Sequence, residues 1–144
     1  MKKNKHLTFY VPDNSGELKL PFSEGRVTAG FPSPADDFKE VRISLDKTLV
    51  TNSEATFYAR VRGQSMIDAG IDDGDLLVVD RSIEPRNNKI AVCFLDGEFT
   101  VKRLKVEKDA IYLMPENQNY KPIKVTPNNQ LQIWGIVTYV IKKL

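Results

Sequence analysis

One histidine and one cysteine are all that this chain carries of the two side chains most used for nucleophilic and metal chemistry. A Ser-His-Asp triad would need the lone histidine, His6, to fold back from the first residues, so it reads as a surface histidine instead. One His and one Cys cannot supply the usual zinc ligand set, and no metal or other cofactor is expected. The single cysteine, Cys93, excludes an internal disulfide and a CxxC site, and fits a reducing cytoplasm. No apolar run approaches the ~20 residues of a membrane helix. The basic start "MKKNKH" has no apolar stretch behind it, so it is not a secretory signal and no membrane association is expected. A net charge of +2 is too small to bind nucleic acid by bulk electrostatics, and no direct sequence-specific DNA binding is expected.

What is present is a globular composition, 41% hydrophobic and 28% charged, on 144 residues that suffice for one modest core. Composition changes near residue 38. Before it, "VPDNSGELKLPFSEGRVTAGFPSPADDF" is rich in proline and glycine and has little periodicity, so residues 1 to about 36 read as a mobile or loosely docked arm. Phe38, Val41, Leu45 and Leu49 recur at near-helical spacing and predict a short helix within 36–49. Beyond that the pattern is strand-like. "TFYARVRG" (56–63) alternates, "DLLVVD" (75–80) is a short buried strand, and "KIAVCFLDGEFTVKRLKV" (89–106) reads as a hairpin turning at Asp96-Gly97. "AIYLMP", "KPIKV" and "LQIWGIVTYVIK" supply further strands, and the fold class is mainly β.

One short turn stands out. In "ARVRGQSMIDAGIDDGDLLVVD" (59–80), Ser65 sits between two apolar runs where a nucleophile could be held. Without a histidine, its activation would need another base. A free lysine has a pKa of roughly 10.4, so on the order of one in two thousand is neutral at pH 7. Burial disfavours the charged form and lowers that pKa, which lets a desolvated lysine replace histidine beside a serine. Such a lysine needs a rigid, apolar element. Lys102 lies inside the second hairpin strand, and period-two alternation groups Thr100, Lys102 and Leu104 on one face. On pattern alone a strand lysine is more often solvent-facing, and spacing does not settle which holds here. The acids Asp72, Asp73 and Asp75 could bind a cation, but they read better as turn residues around Gly74.

Three stretches together carry a resemblance: "AGFPSPADDF" (29–38), "GQSMIDAGIDDGDLLVVD" (63–80) and "DGEFTVKRL" (96–104). They resemble the UmuD-type proteins, self-cleaving accessory subunits of the SOS translesion polymerase, within the LexA-like Ser-Lys peptidases. The resemblance runs from about Leu20 to the C-terminus. It implies a compact β-rich peptidase domain of the LexA/signal-peptidase type, preceded by a mobile N-terminal arm. The boundaries it implies are an arm at 1–29, an extended linker at 30–40 and the peptidase domain at 41–144. It makes Ser65 the nucleophile, Lys102 the general base and Ala29-Gly30 the bond cut in the chain's own arm. The N–H groups of Ser65 and Met66 are the candidate oxyanion donors. It also implies promotion by a RecA–single-stranded DNA filament. The homodimeric product would join the catalytic subunit of a Y-family polymerase. The start of the chain is longer and more polar than the family pattern, and residues 1–19 receive no role.

Three rival readings fit the sequence less well. A LexA-like repressor needs a helix-turn-helix ahead of the bond, and residues 1–29, with prolines at 12 and 21, show no helical period. A leader peptidase would call for a membrane anchor. A non-catalytic binding module would make Ser65 and Lys102 remnants, against which stands the joint presence of both residues and a cleavable bond.

Overall fold

The computed structural model describes residues 6–13, 15–16, 19–23 and 40–144. Contacts divide the chain into two compact units. One joins the described residues up to Pro12 with Asn52–Leu144, and the other spans Asp13–Thr51.

The first unit is an eight-stranded, wholly antiparallel sheet. Its strands are β1 (Leu7–Tyr10), β4 (Thr56–Val61), β5 (Leu76–Asp80), β6 (Ile90–Leu95), β7 (Glu98–Val106), β8 (Ile111–Met114), β9 (Ile123–Val125) and β10 (Leu131–Ile141). They lie in the order β1-β4-β5-β10-β6-β7-β8-β9, which puts the last strand at the centre and the first at an edge. The alternating runs of β4 and the β6–β7 hairpin form strands because side chains of period two fill opposite faces. Leu7, Phe9, Ala59, Val61, Met66, Ile71, Leu77, Val79, Val92 and Val101 make one buried cluster. Ala91, Cys93, Leu104, Leu113 and Ile136 make another.

The hairpin turn falls at Asp96-Gly97 as its sequence requires. Both residues have positive φ, 49° and 87°, the pairing of a type I′ turn whose twist matches its strands. Leu95 and Glu98 close it as register partners. The central strand β10 needs a different device. Its register shifts between Ile133 and Gly135 against β6, and a Cβ at Gly135 would stand 2.7 Å from Val79 Cγ1. A residue without a Cβ leaves room there for the Val79 side chain.

The second unit pairs β2 (Lys19–Ser23) antiparallel with β3 (Glu40–Ser44) and carries the helix α1 (Leu45–Leu49). The helix expected within 36–49 is thus confined to its last residues, and 36–39 lie outside the described residues. Near-helical spacing misassigned Val41, because the β-branched Val41 and Ile43 of "EVRIS" suit a strand better. Ser44 then starts the helix, its Oγ accepting from the Lys47 N–H at 3.4 Å.

The first residues also depart from the loosely docked arm expected over 1–36. Leu7–Tyr10 is a registered strand of the large sheet, paired with β4 from Leu7↔Val61 to Tyr10↔Tyr58. Leu7 is 1% exposed and Phe9 8%. Burying two such side chains is worth about 1.5–3 kcal/mol each, enough to override the turn-rich sequence that follows. "LTFY" is short enough to be missed beside that proline- and glycine-rich stretch.

Candidate active site

The Ser65 turn is built between the end of β4 and a single 3-10 turn at Ile67–Ala69. Gly63, at φ 99°, releases the chain from β4, and its N–H donates to Asp73 Oδ1 at 2.7 Å. Met66 is buried in the core, and its carbonyl accepts from the N–H groups of Ala69 and Ile71. From the far side, residues 116–117 brace the turn. The Glu116 N–H donates to the Ser65 carbonyl at 2.8 Å, and Asn117 Nδ2 to the Gln64 carbonyl at 2.7 Å. Arg103 Nε pairs with Glu116 Oε1 at 2.6 Å, tying this brace to β7. The serine is therefore held on a rigid frame by contacts from three parts of the chain.

Lys102 approaches from β7. The register sets Ala91 opposite Lys102 and Cys93 opposite Thr100, so Lys102 shares its face with apolar or small side chains. It is 7% exposed. Its Nζ lies 3.0 Å from Ser65 Oγ, 2.6 Å from Thr100 Oγ1 and 3.0 Å from its neighbour's carbonyl, Val101 O. No carboxylate is among these partners. Desolvation consequently pushes the lysine below its ordinary value, with a smaller opposing influence from Cys93. That influence requires a thiolate. Burial pushes the Cys93 thiol up to about 12, so near neutral pH it is uncharged and desolvation of Lys102 stands unopposed. The same burial removes Cys93 as a competing nucleophile.

The three contacts fit a neutral amine. It has two N–H groups for the Val101 carbonyl and the Thr100 hydroxyl, and one lone pair to accept from the Ser65 O–H. In that form the Ser65 O–H donates to Nζ, and the 3.0 Å separation is within the hydrogen-bond reach a general base needs. The N–H groups of Ser65 and Met66 have no acceptor among the described residues, which leaves both available to an incoming oxyanion.

A cleft of about 320 Å³ opens over this pair, walled by Val61, Met66, Thr100, Tyr120, His6 and, from the start of β1, Leu7. His6 therefore comes back to the neighbourhood of Ser65 rather than lying apart as a plain surface residue. Its carbonyl accepts from the Arg62 N–H at 2.8 Å, and Lys102 is the side chain bonded to Ser65 Oγ. Asp72 and Asp75 pair with Lys142, and Asp75 also accepts from the Asp72 N–H, which is turn-forming work. Among the described residues, no group of three or more His, Cys, Asp or Glu is placed to hold a metal ion.

Sequence reasoning placed Ser65, Lys102 and Met66, and the structure brings all three together. Ala29 and Gly30 lie outside the described residues. Three contributors were missed. Thr100 as a partner of Nζ was visible in the alternation that groups it with Lys102. Asn117 and Glu116 gave no signal, because "PENQNY" reads as an ordinary polar turn.

An antiparallel sheet with a serine turn facing a buried lysine defines a class of serine peptidase fold, and comparison with known proteins agrees. The Peptidase S24-like family matches residues 21–138, and the chain belongs to that family. Protein MucA of Salmonella typhimurium is 41% identical over 121 residues, covering 83% of this chain and 82% of MucA. Protein ImpA of Salmonella typhimurium is 38% identical over 133 residues, 92% of this chain and 90% of ImpA. The LexA repressor of Stenotrophomonas maltophilia is 42% identical over 126 residues, 88% of this chain but 58% of the repressor. Among the described residues no helix is long and apolar enough to cross a membrane.

Proposed function

We propose that this protein is a self-cleaving SOS-response peptidase whose Ser65 cuts the chain's own Ala29-Gly30 bond, with Lys102 as general base. One observation carries the reading: a buried lysine, without a carboxylate partner, 3.0 Å from the hydroxyl of a braced serine. Neutral Lys102 takes the Ser65 proton as Oγ attacks the Ala29 carbonyl. The N–H groups of Ser65 and Met66 receive the developing oxyanion. Protonated Lys102 returns its proton to the leaving Gly30 amine, and water hydrolyses the acyl-enzyme. Ala29 suits a tight pocket beside the serine, and Gly30, lacking a Cβ, lets the backbone approach closely.

By likeness to the UmuD-type proteins, a RecA–single-stranded DNA filament promotes the cut by favouring the conformer with the bond seated against Ser65. The product, residues 30–144, is a homodimer that joins the catalytic subunit of a Y-family translesion polymerase in the cytoplasm. The test is intact mass after incubation with RecA, single-stranded DNA and a nucleotide, with Ser65→Ala alongside. A species of the mass of Gly30–Leu144, absent in the variant, is expected. An uncut wild-type chain that cuts slowly at alkaline pH would remove the filament and keep the Ser65–Lys102 chemistry.

A further inference from the structure

The edge of the large sheet is occupied by the chain's own beginning. Strand β1 pairs with β4 through four register positions, and the Arg62 N–H to His6 carbonyl bond extends the ladder by one. Leu7 and Phe9 are members of the buried core, and Phe9 sits edge-on to Phe99 with ring centroids 4.8 Å apart. Its ring is also 6.5 Å from that of Trp134. A second pairing, β2 with β3, runs through five register positions from Lys19↔Ser44 to Ser23↔Glu40. In sequence, the Ala29-Gly30 bond falls between β2 and β3. Both pairings therefore join residues before the bond to residues after it.

We propose that the β4 edge is a strand-binding site whose occupant is the chain's own severed N-terminal piece: residues 1–29 stay bound to 30–144 after the cut, through β1. The position of the cut rests on the reading proposed above. Cutting one peptide bond removes neither the ladder with β4 nor the seats of Leu7 and Phe9, so the immediate product is a nicked complex. Since His6 and Leu7 wall the cleft over Ser65, the retained piece also keeps that cleft closed on one side. Release of the piece is then a separate, slower event, which opens the β4 edge and unroofs the aromatic cluster of Phe99 and Trp134.

The test makes the nick from outside. A Ser65→Ala chain carries the recognition sequence of a site-specific protease between residues 25 and 30 and is cut to completion. Denaturing mass spectrometry should then show two pieces, while native mass spectrometry and gel filtration show one species holding both in equal amounts. Phe9→Asp in the same nicked chain should separate the pieces on the column. Where that variant fails to fold uncut, Phe9→Ala should shorten the lifetime of the complex at least tenfold. Separation of the pieces in the nicked chain without a Phe9 change would overturn the proposal, as would a Phe9 variant that holds its piece as long. Because an added protease makes the cut, a chain that never cleaves itself leaves this result untouched, and pieces that separate leave the Ser65 chemistry untouched.

Discussion

Lys102 is unusual in having its ammonium neighbourhood built of neutral oxygens: a serine, a threonine and a carbonyl. These neutral oxygens return only part of the lost hydration, so the neutral form is more accessible than in a free lysine, and that same form is the one able to accept a proton. Lys102→Met should keep the fold and slow self-cleavage by about 10²–10⁴-fold or more, the usual contribution of a positioned base. Far-ultraviolet circular dichroism and intact mass over time check the two halves of that statement. Thr100→Val removes one acceptor that favours the charged amine. It should lower the pH at which the rate reaches half its maximum, and cost about tenfold in rate at the plateau through lost orientation of Nζ. An unchanged profile would mean that Thr100 does not help set the lysine. Cys93, with its thiol pushed up to about 12 and buried, should resist aromatic disulfide reagents until the chain is unfolded.

Among the elements, β10 and β1 are the most exacting. Gly135→Ala sets a methyl group 2.7 Å from Val79 Cγ1 and 3.3 Å from the Asp80 carbonyl in the middle of the sheet. A loss of about 1–3 kcal/mol in unfolding free energy is expected, read from urea denaturation. A loss below about 0.5 kcal/mol would show that β5 yields at no cost. The hairpin was fully legible, since Asp96-Gly97 between β-rich runs admits few other structures. Strand β1 was not, because four residues give periodicity little to act on and its pairing with β4 spans some fifty residues of sequence. The helix was half legible: Leu45 and Leu49 belong to it, whereas Val41 obeys the local strand preference. Of the site, alternation could place Thr100 beside Lys102, but that this face is buried depends on tertiary packing. The brace at 116–117 is invisible in sequence for the same reason.

For the whole molecule, the buried lysine is a stability cost that pH can relieve. Its folded-state pKa lies below the unfolded one, so between the two values the unfolded chain binds more protons and stability rises with pH. Below the folded value both states are charged and the cost is complete. Above roughly 10.4, the ordinary lysine value, it has gone. Lys102→Met never carries this cost. Its melting temperature relative to the wild-type chain should therefore be highest near neutral pH and fall as pH rises towards 10, in a Ser65→Ala background that prevents cutting. A difference constant with pH would mean that folding does not perturb the lysine.

The measurement that bears most directly on Lys102 as the base of Ser65 is the pH dependence of unassisted self-cleavage of the full chain, followed by intact mass. The rate should climb with pH as the neutral amine is populated and level off below 10.5, at the lowered value of the buried lysine. A rate that is flat across this range, or that levels off near the ordinary histidine value of about 6.5, would contradict a lysine base.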